Sequence, residues 1–295
     1  YNPEHLKGYA SAINPDMVGG IDFYRGAFPA RYGSRLSSVI DVSMKEGDFK
    51  KYHGSLFLGM LSGSVTIEGP IWKDHTSFIV GGRMSYFDLL AYPVLKEVYD
   101  NPDKLRPYSD MKYFDINAKL THKFSERNKL SASFYYGKDR DNTAPSETKL
   151  VNVIVDRKAT RPGEFDQTST EFYNSIDSTT SEWSNLCGAL NWNWDINKRF
   201  SVGTNVAYSK YDYNIIQYSY SKAYKKNNQY TIPIEERDPI NSSEFLQIEE
   251  ANQDYFSTVE EISGGLKFGW KPNGKHDIKV GVAYNSYELT PKVRV

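Results

Sequence analysis

The sequence has almost no cysteine and no long apolar run. Its 295 residues include a single cysteine, Cys187, so no intrachain disulfide can form. The longest nearly apolar run, residues 56–61, is far shorter than the ~20 residues that a membrane-spanning helix needs. These shortages exclude a disulfide-stabilised small domain and a helical membrane protein.

Patterns typical of catalysis and metal binding are also missing. The five histidines are scattered, and no two of them have the spacing of metal ligands. There is no Gly-x-Ser-x-Gly nucleophile elbow, and the acidic turn at residues 139–142 lacks the Gly and the distal Glu of a calcium loop. The formal net charge is −1 and the basic residues do not cluster. We therefore expect no enzymatic activity, catalytic residue, metal site, cofactor or nucleic-acid partner.

Aromatic residues, in contrast, are abundant. They make up 15% of the chain, with 23 tyrosines, although the mean hydropathy is only −0.61. A transmembrane β-barrel has this combination, because only every second residue of a strand faces lipid while the lumen side and the loops are polar.

Apolar residues alternate along nine segments, as expected for strands with one apolar face. These segments are 56–60, 65–71, 78–86, 114–124, 130–136, 186–196, 200–208, 262–270 and 278–284. The parity predicts that Leu120 and Val282 face lipid, so that arginine there is costly, whereas changes at Lys119 and Lys279 are mild.

Short and long connections alternate between these strands. Tight turns are predicted near residues 72, 126, 197 and 273, and long loops at 91–112, 141–181 and 216–254. Transmembrane barrels have short periplasmic turns and long extracellular loops, whereas a soluble sandwich rarely separates the two kinds so strictly. Aromatic side chains near the strand ends on the apolar parity are typical of interfacial girdles. They are Phe78, Tyr86, Phe124, Trp194, Phe200, Tyr208 and Trp270.

The stretch at residues 20–48 has the order strand, turn, strand. Arg25-Gly26 ends its first strand, Tyr32-Gly33 forms the turn, and the second strand ends in Lys45-Glu46-Gly47. With Glu68-Gly69-Pro70-Ile71 and Arg83-Met84-Ser85-Tyr86 downstream, it resembles the plug end and first barrel hairpins of TonB-dependent outer-membrane receptors of the Bacteroidota type. The resemblance covers roughly the first third of the chain.

This resemblance implies an all-β fold: residues 1–48 would be the C-terminal part of a plug domain, and residues 49–295 the first nine strands of a transmembrane antiparallel β-barrel. Plugged transporter barrels have about 22 strands, and an open sheet edge does not occur in lipid. We therefore expect a segment of a longer barrel in the outer membrane of a Gram-negative bacterium, surrounded by outer-membrane lipid. The earlier part of the plug, with its energy-coupling box for the TonB–ExbB–ExbD system, would precede it.

The function that the resemblance implies is energised import of a ligand such as a glycan, peptide or siderophore. Two alternatives stay open. One is a passive porin-like channel, and the other is an outer-membrane scaffold or assembly partner on the same fold. The substrate cannot be deduced from these residues.

Two sets of candidate site residues emerge. Arg25, Arg31 and Arg35 are candidate plug-to-barrel contacts, because a guanidinium pairs well with carboxylates and Arg25 matches the basic residue of the motif. Tyrosines in the third long loop and its flanking strand could contact a ligand or a surface lipoprotein partner, or could be ordinary strand residues. They are Tyr211, Tyr213, Tyr218, Tyr220 and Tyr224.

Overall fold

The computed structural model describes residues 4–5, 8, 10–26, 29, 32, 37–86, 109–157, 167–228, 244–273 and 275–294. Thirteen β-strands and one 3₁₀ helix, Pro15–Met17, are formed in these parts of the chain. The strands are β1 Glu4–His5, β2 Ala10–Ser11, β3 Val18–Arg25, β4 Ser38–Met44, β5 His53–Leu58, β6 Ser62–Trp72, β7 Thr76–Ser85, β8 Ser109–Ser125, β9 Asn128–Arg157, β10 Gln167–Asp195, β11 Phe200–Asn228, β12 Glu244–Asn273 and β13 His276–Arg294. No helix in the described ranges is long and apolar enough to cross a membrane.

Strands β5 to β13 form one nine-stranded sheet. Each strand pairs antiparallel with its neighbour in sequence, so the sheet is a simple meander. This confirms the predicted all-β fold class and the nine predicted strands. The earlier strands form two separate hairpins, β1–β2 and β3–β4, and β3–β4 is the strand pair predicted within residues 20–48.

The tight turns form where the alternation predicts them, and short polar side chains hold them. The Asn197 side chain accepts hydrogen bonds from the amides of Arg199 and Phe200. Asn273 does the same for Lys275 and His276. Asparagine is common in turns because its side chain can replace a backbone acceptor.

The predicted long loops at 141–181 and 216–254 are wrong over most of their length. β9 and β10 stay paired out to Arg157 and Gln167, and β11 and β12 stay paired out to Lys225 and Glu244. These four strands are 29 or 30 residues long, whereas a tilted strand crosses a membrane in about 9–11 residues. Most of the predicted loop at 91–112 lies outside the described residues, and its last part belongs to β8.

One face of the sheet carries a continuous apolar band. The strand register aligns apolar side chains into about five successive rows, which is roughly the height of a membrane-facing barrel band. One row near the middle runs through Leu120, Ala132, Leu190, Val206, Gly264 and Tyr284. The band ends where Lys210, Glu260 and Glu288 align next to Leu186. The sequence-predicted apolar parity therefore lies on one face and stops at a charged row.

The other face of the sheet is polar and much more buried. Ser64, Thr66, Ser77, Asp115, Asn117, Thr121, Asp139, Asp141, Asn185 and Ser209 are all buried on it. Residues from the N-terminal part of the chain cover it, as described below. We call this the inner face, and we use the predicted name plug end only as a label for the described residues up to Asp48.

Candidate functional site

The contact between the plug end and the inner face is the most elaborate polar site in the described structure. It extends in three tiers, from the side of the tight turns to the far edge of the apolar band.

The first tier, nearest the turns, is made by the end of β4 and the residues that directly follow it. The ammonium of Lys119 donates a hydrogen bond to the Met44 carbonyl oxygen over 3.0 Å. Lys129 forms an ion pair with Glu46, and the Ser77 hydroxyl donates to the Glu46 carbonyl oxygen over 2.7 Å. Two lysines and a serine of three strands thus hold one short segment of the plug end.

Gly47 lets this segment approach the sheet closely. Its φ is +81°, a left-handed conformation that favours glycine. A Cβ at this position would collide with the Phe78 carbonyl group. Both the conformation and the space therefore require glycine where the plug end leaves the inner face.

Asp48 orders the link from the plug end to the first strand of the sheet. Its carboxylate accepts hydrogen bonds from the amides of Lys50, at 2.6 Å, and Lys51, at 3.0 Å, and from His53 at 2.9 Å. The two amide hydrogen bonds, followed by the one from His53, lower the pKa of Asp48 below its ordinary value. A cavity of about 770 Å³ lies beside this link, between residues 43–48 and the side chains of His53, Glu68 and Lys119.

The second tier is the 3₁₀ helix. The Asn14 side chain caps it by accepting the Asp16 amide at 3.0 Å. Asp16 in turn accepts a 2.6 Å hydrogen bond from the Ser64 hydroxyl of β6. Met17 is buried, and a Cβ at Gly81 would come within 2.7 Å of its sulfur. Glycine in β7 thus makes room for the one large apolar side chain that this part of the plug end inserts.

The third tier is a buried cluster of four charged or chargeable side chains at the far edge of the band. His5 of the plug end lies between Asp139 of β9, with Nδ1 2.7 Å from Oδ1, and Asp115 of β8, with Nε2 3.3 Å from Oδ2. Arg83 of β7 binds Asp115 through Nη2 at 2.6 Å and through Nε at 2.8 Å. The side chains of His5, Asp115 and Asp139 are at most 1% exposed.

Further contacts fix the plug end at this cluster. The His5 ring stacks on Tyr113 with a centroid distance of 4.6 Å and an interplanar angle of 17°. The Arg83 guanidinium also donates to the Ser11 carbonyl oxygen of β2 over 2.9 Å. Each of the two short N-terminal strands therefore has its own link to the inner face.

The cluster favours a protonated His5. Burial alone would lower the pKa of His5, but hydrogen bonds to Asp115 and Asp139, together with their negative charges, outweigh it and raise the pKa above its ordinary value. With His5 charged, two cations face two carboxylates and the buried group is neutral overall.

Of the three arginines predicted to hold the plug, the structure describes only Arg25. Arg25 is exposed, and its guanidinium lies 5.5 Å from the centre of the neighbouring Phe23 ring. Within the described residues no carboxylate forms an ion pair with it. The predicted partners need not belong to this segment, so its plug-to-barrel role stays a prediction. Arg31 and Arg35 lie outside the described residues.

The five candidate tyrosines lie in strand β11 rather than in a loop. Strand parity places Tyr211 and Tyr213 on the inner face, where their rings lie 6.4 Å apart at 11° and Tyr213 approaches Trp183 at 6.4 Å. Tyr218 and Tyr220 point to the opposite face, beyond the charged row. The side chain of Tyr224 lies outside what the structure describes. The set therefore divides between two faces, and its role as a ligand or partner site stays a prediction.

Sequence reasoning missed His5, Asp16 and Glu46 as contacts to the sheet. His5 and Asp139 are 134 residues apart, and no local motif marks either of them. The strand parity could have shown Asp115 and Asp139 as charged residues on a shared inner face, because both have the parity opposite to the apolar side chains. In the parts of the chain that the structure describes, no three or more His, Cys, Asp or Glu side chains are arranged so that they could hold a metal ion.

Comparisons with known proteins give weak structural likenesses. No family model matches the sequence, and no curated protein matches it. Among solved structures, the siderophore receptor PiuA from Acinetobacter baumannii aligns with a TM-score of 0.30 and 10% identity over 94% of this chain and 51% of that receptor. This chain thus spans about half the length of the receptor.

Two further structures align less well. A FadL homologue from Pseudomonas aeruginosa has a TM-score of 0.19 and 9% identity over 78% of this chain and 77% of its own. The CymD monoaromatic hydrocarbon channel has a TM-score of 0.18 and 8% identity over 82% and 83%. Likenesses of this strength carry no argument about function, which has to come from the geometry.

Proposed function

We propose that this chain is the plug end and the first nine barrel strands of an energised importer in the outer membrane, of the TonB-dependent kind. In this proposal a ligand binds at the outer mouth of the barrel. The TonB system then moves the plug from the periplasmic side and opens a path along the inner face.

The observation that supports this proposal is the polar character of the contact between the plug end and the inner face. Three tiers of hydrogen bonds and ion pairs hold the plug end, and they include Lys119 to Met44, Lys129 to Glu46 and His5 to two aspartates. Met17 is the large apolar side chain of the plug end that is fully buried. Polar contacts in a wet lumen can exchange with water when the plug moves, whereas a wide apolar interface would resist separation.

The arrangement also supports import over passive diffusion. The plug end covers the inner face of β6, β7, β8 and β9 along the full height of the apolar band. A large solute could pass along this wall only after the plug end had moved. This movement breaks several charged hydrogen bonds, of which the buried ones each contribute on the order of 1.5–3 kcal/mol, so an energy source is expected.

The experiment compares solute uptake by cells that carry the full-length protein with and without an intact TonB system. Because the ligand is unknown, the readout is the depletion of solutes from a complex medium, measured by mass spectrometry against cells that lack the protein. Depletion that requires TonB supports import. Equal depletion in both strains supports a passive channel, and no depletion together with a stable purified partner complex supports a scaffold.

A matched variant tests whether the plug end itself must move. Asp16→Cys with Ser64→Cys replaces the 2.6 Å contact between the 3₁₀ helix and β6 with a potential disulfide. Oxidation should stop the TonB-dependent depletion and reduction should restore it. Depletion that continues unchanged in the oxidised double variant would contradict movement of this part of the plug.

A further inference from the structure

We propose that His5, Asp115, Asp139 and Arg83 form a proton-dependent latch that holds the N-terminal segment of the plug end on the inner face. The latch is closed when His5 carries a proton and loosens when His5 loses it. The inference concerns the docking of this segment, and its test does not depend on transport.

The geometry favours a donor on each ring nitrogen of His5. Nδ1 lies 2.7 and 2.9 Å from the two oxygens of Asp139, and Nε2 lies 3.3 Å from an oxygen of Asp115. A protonated imidazole has an N–H on both nitrogens, whereas a neutral ring has only one. A neutral His5 would therefore direct a nitrogen lone pair at one of the carboxylates.

The charge balance leads to the same conclusion. Arg83 and a protonated His5 together match the two carboxylates, all within a region where these side chains are at most 9% exposed. Loss of the His5 proton leaves one buried carboxylate without a full positive partner, and unpaired buried charge is costly. The effect acts on docking, because Asp115, Asp139 and Arg83 belong to the sheet while His5 belongs to the plug end.

The remaining groups around the ring do not replace the lost proton. Tyr113 of β8 stacks on the ring face, and the Tyr135 hydroxyl of β9 lies 3.4 Å from Nε2. Tyr135 can donate a long hydrogen bond to a neutral Nε2, but it adds no positive charge. Glu4, next to His5 on β1, is exposed, and Asp141 of β9 is a further buried acid that has an interaction of its own.

The direction of the pH effect follows from linkage. The pKa of His5 is higher in the docked state than its ordinary value of about 6.5. The extra docking stability is therefore fully present below about pH 6.5 and is lost as the pH rises through the docked value. Between these two values the docking equilibrium falls by up to about tenfold per pH unit.

The test measures hydrogen–deuterium exchange of residues 4–12 in the full-length protein in lipid nanodiscs from pH 5.5 to 8.5. Rates are corrected for the intrinsic pH dependence of exchange. In the unsubstituted protein the corrected exchange should rise by up to about tenfold per pH unit once the pH exceeds about 6.5. In His5→Gln it should be fast and independent of pH.

The control variant is His53→Gln. His53 also contacts a carboxylate, Asp48 at 2.9 Å, but its side chain is 53% exposed and lies outside the cluster. The corrected exchange of residues 4–12 in this variant should match that of the unsubstituted protein. A pH dependence that disappears in His53→Gln and persists in His5→Gln would overturn the latch.

A second variant keeps the test decisive if His5→Gln does not insert. Asp139→Asn keeps His5 but removes the carboxylate that binds Nδ1, so the rise in exchange should still begin near pH 6.5 but should level off at a lower pH and be smaller. Corrected exchange of the unsubstituted protein that stays flat over the whole range, or that slows as the pH rises, would also overturn the proposal.

Discussion

Arginine placed in the middle of the apolar band tests the orientation of the whole sheet. Val282 is 71% exposed on the face opposite the plug end, and the register places it near the middle of the band, across from Leu266. If this face contacts lipid, Val282→Arg puts a charge near the bilayer midplane and should cost about 2–4 kcal/mol. Leu120→Arg, in the adjacent row, should cost a similar amount.

The cost of an arginine should fall with its distance from Val282 along β13. Ile278 and Ser286 each lie two rows from Val282, which is ~13 Å along the strand and ~10 Å along the membrane normal at a tilt of about 40°. Arginine at either position can reach the interface, so its cost should fall to about 0–1 kcal/mol. The loss of stability caused by arginine, compared at positions along β13, should therefore have a single maximum at Val282.

The assay is guanidinium chloride unfolding of the full-length protein from lipid vesicles, followed by tryptophan fluorescence. Lys279→Ala is the matched control, because Lys279 has the opposite parity and is 75% exposed. Lys119, the other position predicted from the sequence to be mild, is unsuitable because its ammonium binds the Met44 carbonyl oxygen. Equal costs at positions 278, 282 and 286, or a larger cost for Lys279→Ala than for Val282→Arg, would refute the lipid-facing assignment.

Two further predictions concern the place where the plug end meets the first strand of the sheet. Gly47→Ala should destabilise the protein by about 1–3 kcal/mol, because alanine is strained at φ +81° and its Cβ would collide with Phe78. Gly188→Ala, where a Cβ meets nothing within 4 Å, should change the unfolding midpoint little, and equal midpoints for the two variants would contradict the close approach. Because the pKa of Asp48 is lowered, its stabilising effect should be present above pH 3.8 and vanish as the pH falls through the lowered value. The gap in unfolding midpoint between the unsubstituted protein and Asp48→Asn should close in acid, and a gap that stays constant with pH would exclude this role.

The sequence predicted the sheet well where one face is apolar. Segments such as 200–208 and 278–284 alternate strictly, and each became part of a strand in the register that the parity requires. The same test failed in the parts of β10 and β11 that lie farther from the tight turns than Ser184 and Lys210. Both faces of these strands are polar there, so a two-residue period of hydrophobicity cannot be detected. Backbone hydrogen bonds between neighbouring strands continue the sheet in this region. No local sequence pattern predicts such pairing.

The site was harder to predict than the fold. The arginine that the motif indicated, Arg25, is exposed, while the most buried polar contact is made by His5, which resembles an isolated histidine in the sequence. Its partners Asp115 and Asp139 become neighbours only when β8 and β9 pair and the plug end crosses them. Sequence spacing carries no information about such a contact.

The tiers of the plug end have a consequence for the order of assembly. Every contact described between the plug end and the sheet is made with β5, β6, β7, β8 or β9, so none of them needs a strand that follows β9 in the chain. A growing chain that adds strands in sequence order can seat its own plug end when only these early strands have formed. If the sheet is part of a barrel, as proposed, the lumen would then be built around its contents, and the plug end would not have to thread through a finished wall.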